Sequence, residues 1–377
     1  MRLLIHDLSP SEWERIQDNY SDCKVISDTG SIRPCIGCFH CWTGGTGRCV
    51  FKDGYDNMCG LIHEADEMII MSRYTYGGFS SFVKNVFDRC IGYVLPEFEV
   101  AYGEMHHKKR FAEEKPVTFV FRGHDLSEEK RRNAREYTEA LCRNLRGRVK
   151  DVIFEECAAE ETSETVPAET SKRSGILLVD CSLRGNRSNT NVFLKKLQEL
   201  LGPNAQLVSL STGMTPAETA AAFAKAKTVV LGAPLYVDGL PSSALRVMEE
   251  VKKTGAGRGC RLYAAVNNGL YESAQNVNLL KMIKAFCEEN GMIYRGAAAI
   301  GAGEVVGTLM RDAKHSLWPA RNAESCLRSL ADAVKEDRET EDLYADPLMF
   351  PRWMYILIAN TNWQRLKKQA RKAKTNA

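Results

Sequence analysis

Long apolar runs and export signals are missing from this chain of 377 residues. No stretch of about 20 consecutive apolar residues occurs, which argues against a membrane-spanning helix. The first apolar run stops at Asp7, so we expect no secretory signal and a cytoplasmic protein. A strong excess of one charge is missing too, since the formal net charge is +3, and the sequence has no nucleic-acid-binding motif. We therefore expect no nucleic-acid partner.

Cysteine is too sparse for a fold held together by disulfides, because 13 cysteines in a chain of this length is a low and odd number. Four of them nevertheless lie close together, at Cys35, Cys38, Cys41 and Cys49. Three cysteines at intervals of three, followed by a fourth, allow one loop to surround a compact metal centre. The spacing favours a [4Fe–4S] cluster, with structural zinc or free thiols as the alternatives.

Short apolar runs alternate with amphipathic helical patterns, and each half of the chain has five such repeats. This alternation predicts an α/β protein with two tandem, doubly wound domains, each built on a five-stranded parallel sheet. We place the domains at 1–155 and 175–346. The acidic, proline-containing segment 156–174 has the composition of a linker. A basic helical extension follows at 347–377.

An internal repeat supports two related halves. The 25 residues from Ala65 align with those from Ala226 at a constant offset of 161, and Gly78 falls on Gly239. Both segments have the pattern of a strand, a loop with aromatic and glycine residues, and a helix. We interpret the halves as diverged copies of one unit.

A candidate phosphate-binding loop follows the first strand pattern of the second half. It contains Ser182, Arg184, Ser188, Asn189 and Thr190, directly before a helix. Hydroxyl groups, an arginine and the positive end of a helix dipole all attract a phosphate dianion. One of these residues could instead only cap the helix. The number of such residues beside the arginine favours phosphate binding.

This loop resembles that of the flavodoxin-like NAD(P)H-dependent FMN reductases. The resemblance implies flavodoxin-like domains, and it implies that the loop holds the phosphate of FMN. It further implies that two later loops line the flavin ring, with NAD(P)H as an electron donor. In this sequence those two loops supply Pro234, Leu235, Tyr236, Val237, Asp238, Gly239, Asn267, Asn268, Gly269 and Tyr271. Either tyrosine alone would be read as an ordinary, partly buried residue. The glycines of 301–307 follow the last strand and have the wrong spacing for a dinucleotide loop.

The cysteine loop resembles that of the iron–sulfur flavoproteins, a branch of the same group. The helix pattern Ser80-x3-Lys84-x3-Asp88-Arg89 also matches that family. The first half departs from it where a phosphate loop is expected. There Ser9-Pro-Ser-Glu is a helix capping box with glutamates that would repel a phosphate, so we expect no FMN in the first half.

One half therefore has the cysteines and the other has the phosphate loop. The resemblance implies an FMN-dependent oxidoreductase that passes electrons between an iron–sulfur cluster in the first domain and FMN in the second. The alternatives are a cluster-free NAD(P)H-dependent reductase of FMN or quinones, and a non-enzymatic flavin-binding electron carrier. We expect a small molecule or a protein as electron donor or acceptor, and a homo-oligomer is compatible with these functions.

The C-terminal extension carries the excess positive charge. Seven basic residues and no acidic residue follow Asp346, whereas residues 1–346 have a net charge of about −4. The apolar segment 348–359 is too short to cross a bilayer, and Trp363 continues its helical pattern. We expect this helix to dock on a domain or a partner subunit, in preference to a membrane surface.

Overall fold

A computed structural model of the protein describes residues 1–158, 173–312, 314 and 318–375. The chain divides into two compact units. Unit 1 consists of Met1–Glu160 together with Trp353–Ala377, and unit 2 consists of Glu161–Arg352. The predicted linker at 156–174 lies mostly outside the described residues. Within them, no helix is both long and apolar enough to cross a membrane.

Unit 1 is a parallel sheet of five strands in the order β2-β1-β3-β6-β7, with the antiparallel hairpin β4-β5 beside it. Its elements before the C-terminal helix are β1 (Arg2–His6), α1 (Pro10–Glu14), β2 (Cys23–Ile26), α2 (His40–Thr43), α3 (Met58–Glu64), β3 (Glu67–Arg73), α4 (Ser81–Asp88), β4 (Val94–Ala101), β5 (Glu104–Lys109), β6 (Pro116–Gly123), α5 (Glu128–Leu145) and β7 (Arg148–Glu156). This strand order is that of flavodoxin.

Unit 2 is a parallel sheet of six strands in the order β13-β12-β11-β10-β8-β9. Its elements are β8 (Ile176–Asp180), α6 (Asn189–Leu201), β9 (Ala205–Ser209), α7 (Pro216–Lys225), β10 (Thr228–Pro234), α8 (Ser242–Thr254), β11 (Arg261–Asn267), α9 (Val277–Glu289), β12 (Ile293–Ile300), α10 (Gly303–Arg311), α11 (Trp318–Lys335) and β13 (Leu343–Ala345). The α/β class and the flavodoxin-like strand order are confirmed.

The prediction of five strands is wrong for the second sheet. The extra strand, β13, has only three residues and pairs with the end of β12. Three residues are too few to produce a recognisable alternation of apolar and polar side chains, so the sequence pattern does not reveal this strand. The hairpin β4-β5 in unit 1 was missed as well, since it lies outside the repeating order of strand and helix.

The strands are buried because their apolar side chains lie under helices on both faces of each sheet. Leu3, Leu4 and Ile5 of β1 have no exposed surface, and neither have Leu178 and Val179 of β8. The predicted capping box is present at α1, where Ser9 and Glu12 exchange hydrogen bonds. Both units therefore have ordinary doubly wound cores.

The two units contain the same tight turn at the positions that the internal repeat aligns. Thr75 pairs with Gly78 in unit 1, and Tyr236 pairs with Gly239 in unit 2. In both turns the two central residues have positive φ angles, including 43° at Val237. A β-branched residue rarely adopts this conformation. Each turn connects the third strand of its sheet to a helix.

The C-terminal helix α12 (Arg352–Thr375) packs against unit 1. The side-chain amide of Asn360 accepts a 2.7 Å hydrogen bond from the backbone N–H of Phe98 and donates a 3.0 Å bond to its carbonyl oxygen. Lys367 pairs with Glu97 at 2.6 Å. Trp363 lies edge-on to the rings of Phe39 and Trp42 in the cysteine loop.

Candidate functional site

Three loops of unit 2 meet at the carboxyl edge of its sheet, because β8, β10 and β11 are adjacent and parallel. Asn267, at the end of β11, connects all three. Its side-chain oxygen accepts a 2.7 Å hydrogen bond from the Thr190 hydroxyl, and its backbone oxygen accepts one of 2.7 Å from the Leu235 N–H. The carboxyl edge is where open α/β sheets bind ligands. The structure thus brings the sequence-predicted loops together.

The hydroxyl groups of the phosphate loop already form hydrogen bonds with other groups of the protein. Ser188 caps α6 by accepting from the Asn191 N–H at 3.1 Å, and Ser182 accepts from the Arg184 N–H at 3.3 Å. Both side chains, like Thr190, are buried. Asp180 lies beneath the loop, and burial raises the pKa of its carboxyl group. The loop is therefore well ordered by its own contacts.

The charged and amide side chains of this loop also have partners. Arg184 pairs with Glu304 of α10 at 2.7 Å, and Asn189 accepts a 3.1 Å bond from Arg311. Because Asn189 also packs directly against Gly307, where a Cβ atom would lie 2.4 Å from its side-chain oxygen, it has a structural role. What the loop can offer a phosphate is the first amides of α6 and the Arg184 guanidinium, once that group leaves Glu304.

The second loop is the tight turn after β10. Pro234 is buried, and Leu235, Tyr236 and Val237 are half-buried. Gly239 donates to and accepts from Tyr236 at 3.1 and 3.0 Å, while the Asp238 side chain is 4% exposed. The backbone is held in a strained turn, with an apolar surface of modest size beside it.

The third loop follows β11. The Asn268 side chain donates a 2.8 Å bond to the Glu272 carbonyl, and its own buried oxygen has no hydrogen-bond partner within the described residues. Gly269 is exposed, with open space where a side chain would stand. Tyr271 donates a 2.8 Å bond to the carbonyl of Phe350, and burial raises its pKa. Tyr271 is thereby fixed by the chain segment before α12.

These features fit an FMN molecule. A helix start with a nearby arginine suits its phosphate, and the turn at Tyr236 together with open space at Gly269 suits a flat ring. The buried, unpaired oxygen of Asn268 is a further polar group without a partner, and buried acceptors are normally satisfied. The predicted site residues are thus grouped at one edge of the sheet, although several of them form hydrogen bonds with each other.

The four cysteines of unit 1 lie on one loop between β2 and α3, and each is partly exposed. Their thiols interact electrostatically: Cys35 with Cys41 and Cys49, and Cys41 with Cys38 and Cys49. Burial, with a smaller effect of the neighbouring thiols, raises the pKa of Cys41 to about 12. Hydrogen bonds from backbone N–H groups have the smaller, opposite effect of lowering the thiol pKa, from Gly37 to Cys35 and from Trp42 to Cys41.

Within the described residues, no three or more of the ligand side chains are close enough together to hold a single metal ion. The thiols share one loop but do not form a ready tetrahedral site. The donor set itself, four cysteines with backbone N–H groups directed at two of them, has the chemistry of an iron–sulfur centre. The structure nevertheless does not support a cluster at this loop, and the [4Fe–4S] centre stays a prediction from the cysteine spacing.

A buried arginine organises this loop, and it was not singled out as a site residue. The Arg89 side chain is fully buried and makes a bidentate pair with Asp53, at 2.6 and 2.8 Å. It also donates to the carbonyls of Arg33 and Phe51 and interacts with the Cys49 thiol. Its Nε–H group is buried and has no hydrogen-bond partner in the part of the chain that the structure describes. The signal was present, because Arg89 ends the helix pattern matched in the sequence.

The loop after β1 in unit 1 is closed by an acidic group. Asp7 accepts hydrogen bonds of 3.1 and 3.0 Å from the Arg73 N–H, and burial raises its pKa. Glu12, at the start of α1, pairs with Arg122 at 2.9 Å. Acidic side chains thus stand where a phosphate loop would be in this half.

No protein-family model matches the chain, and no curated protein is significantly similar to it in sequence. Solved structures do resemble part of it. An FMN-dependent NADH-azoreductase from Bacillus anthracis str. Ames Ancestor, in complex with FMN, is 16% identical with a TM-score of 0.31 and covers 42% of this chain and 99% of its own. A NADPH-quinone reductase from P. pentosaceus is 18% identical with a TM-score of 0.32, covering 43% and 96%. An azoreductase from Bacillus anthracis str. Sterne is 13% identical with a TM-score of 0.30, covering 43% and 99%. Likeness at this level says nothing about activity.

Proposed function

We propose that the protein is an FMN-dependent oxidoreductase whose flavin binds at the carboxyl edge of unit 2. The observation that carries this proposal is the convergence of three loops on Asn267, which receives hydrogen bonds from Thr190 and from the Leu235 N–H. When bound, FMN supplies the redox chemistry, since it exchanges electrons singly or in pairs.

The chain's own residues position the cofactor. The first amides of α6 and Arg184 hold the phosphate, and the turn at Tyr236 and Gly239 contacts the ring. Asn268 and Gly269 complete the site on the third loop. The bound flavin and a nicotinamide would supply the redox chemistry, so the proposal assigns no side chain as an acid or a base.

Titration of the purified protein with FMN, followed by flavin fluorescence, tests binding. Addition of NADPH or NADH under anaerobic conditions then tests reduction, which bleaches the flavin absorption. Saturable binding followed by bleaching is the expected result. Failure to bind FMN at micromolar concentrations would overturn the proposal.

The finer proposal is that the cysteine loop of unit 1, through Cys35, Cys38, Cys41 and Cys49, carries a [4Fe–4S] cluster that exchanges single electrons with the flavin. It is supported by the spacing of the four cysteines on one loop and by the buried Arg89 side chain, which interacts with Cys49. A buried cation beside thiolates offsets their negative charge.

Anaerobic reconstitution followed by iron, sulfide and zinc analysis tests the cluster separately from the flavin. About four irons and four sulfides per chain are expected for a cluster of this type. A chain that takes up FMN but no iron would instead be a cluster-free NAD(P)H-dependent reductase of FMN or quinones. Zinc uptake in place of iron would identify a structural centre.

A non-enzymatic flavin-binding electron carrier is the third function to be distinguished. It would bind FMN in the same way but would not be reduced by nicotinamides, and it would need a protein donor. The hydrogen bonds of the loops to Asn267 do not distinguish such a carrier from an enzyme. The bleaching experiment does.

A further inference from the structure

One face of α12 carries large apolar side chains that remain exposed. Trp353 is 65% exposed, Leu357 60% and Ile358 48%. They occupy successive turns at the start of the helix. Clusters of exposed apolar side chains rimmed by polar residues mark surfaces that bind a protein or a membrane.

The same face becomes basic toward the end of the helix. Arg365 and Lys368 are exposed, as are Arg371 and Lys372, and the segment 347–377 contains no acidic residue. Since each residue of an α-helix advances by about 100°, Trp353, Leu357 and Lys368 lie within about 60° of one another around the axis. Apolar and basic side chains therefore lie on one exposed strip along α12, with the polar side chains of Thr361 and Gln364 between them.

The remaining sides of α12 hold the helix on unit 1. Asn360 makes two hydrogen bonds to the backbone of Phe98, and Tyr355 is 1% exposed. Lys367 pairs with Glu97. The helix cannot turn its exposed apolar side chains inward without breaking these contacts, so the strip stays directed away from the body of unit 1.

We propose that this strip binds the surface of a membrane that contains anionic lipids. Trp353, Leu357 and Ile358 insert at the level of the headgroups, and the basic side chains contact lipid phosphates. Tryptophan prefers this interface, and amphipathic helices with basic residues bind it by combined insertion and charge attraction. The helix lies on the membrane and does not cross it. This inference is independent of the proposed oxidoreductase function.

A second copy of the chain fits the strip less well. In a two-fold symmetric dimer the same patch appears on both subunits. A parallel pairing of two α12 helices would therefore bring basic residues close to basic residues, and an antiparallel pairing would place the basic end of one helix on the apolar start of the other. A membrane with negative headgroups matches both the apolar and the charged parts of the strip.

Co-sedimentation of the full chain with vesicles tests the proposal. We expect binding to vesicles that contain phosphatidylglycerol, weak binding to pure phosphatidylcholine, and a loss of binding near 1 M salt, where the Debye length is only about 3 Å. The double variant Trp353→Ser/Leu357→Ser should bind at least about tenfold more weakly. Arg365→Gln and Lys368→Gln should each weaken binding about fivefold.

The control is matched for exposure and charge. Ile293→Ser, Arg132→Gln and Lys253→Gln replace exposed side chains on other elements, and they should leave vesicle binding unchanged. Circular dichroism and urea unfolding check that every variant is folded. Equal binding by the Trp353 and Leu357 variant, or no binding of the unmodified chain to anionic vesicles, would overturn the proposal. So would a dimer that this variant abolishes in the absence of vesicle binding.

Discussion

The hydroxyl of Thr190 donates a 2.7 Å hydrogen bond to the side-chain oxygen of Asn267, 77 residues away, and both side chains are buried. This bond joins the start of α6 to the end of β11, which are two of the three chain segments at the candidate flavin site. It connects the part that would hold a phosphate to the part that would hold a ring.

Replacing Thr190 with valine should separate these two segments. The change preserves the shape of the side chain but leaves the Asn267 oxygen buried without a donor, which costs about 1–3 kcal/mol. We expect urea unfolding to show this loss, and FMN fluorescence titration to show weaker binding. Thr254→Val, at an exposed helix end, is the matched control and should be close to neutral. An unchanged free energy of unfolding would contradict this role of Thr190.

Arg184→Gln should weaken binding of FMN more than binding of riboflavin. The variant removes a charged donor to the phosphate, and such bonds contribute about 1.5–3 kcal/mol, or roughly tenfold or more in affinity. Riboflavin lacks the phosphate and should bind the variant and the unmodified chain alike. Equal losses for both ligands would place Arg184 away from the phosphate.

Glu304→Gln should have the opposite effect on FMN. In the structure the Glu304 carboxylate forms an ion pair with the Arg184 guanidinium at 2.7 Å, so it would compete with an incoming phosphate for that group. Removing its charge should tighten FMN binding several-fold, because both groups are near the surface and the pair is weak. Glu199→Gln, on an exposed part of α6, is the control. Weaker FMN binding by the Glu304 variant would contradict competition.

Arg89→Met should strongly destabilise unit 1. Removing one member of a buried ion pair leaves Asp53 without its partner, at a cost of about 3–5 kcal/mol. The double variant Arg89→Met/Asp53→Leu removes both charges and should recover part of the loss in urea unfolding. If the double variant is no more stable than the single one, the hydrogen bonds to the loop carbonyls are more important than the ion pair.

Acidification should destabilise the protein in part through His6. Its ring stacks on Trp13 and its Nδ1 accepts the Leu8 N–H at 3.2 Å, so the neutral form is bound. Burial lowers the pKa of His6 to about 4. Because the folded pKa lies below the unfolded value of about 6.5, this stabilisation is present above pH 6.5 and is lost as the pH falls toward 4. His6→Asn, which keeps an acceptor but does not titrate, should reduce the slope of unfolding free energy against pH between these values.

The sequence predicts those features of the fold that are encoded locally. The helices Glu128–Leu145, Pro216–Lys225 and Val277–Glu289 belong to the predicted alternation, since each begins after a serine, threonine or asparagine and has a continuous apolar period. The capping box at Ser9 follows from two residues three positions apart. The meeting of three loops follows from the strand order.

The remaining features depend on contacts between distant parts of the chain. That Asn189 packs against Gly307, and that Arg184 pairs with Glu304, requires knowing where α10 lies. The helix pattern in the sequence includes Arg89, but it does not reveal that Asp53 is the partner with which Arg89 is buried. Charged residues are mostly exposed, and sequence reasoning treats them so.

The placement of α12 in unit 1 has a consequence for synthesis on the ribosome. The helix that covers Phe39 and Trp42 belongs to the unit formed by Met1–Glu160, yet nearly 200 residues of unit 2 are made between them. At about 5–20 residues per second, the first unit waits on the order of 10–40 s for its last element. During that interval Phe39 and Trp42 lack their contact with Trp363 and have only the ring contacts made within the first 160 residues.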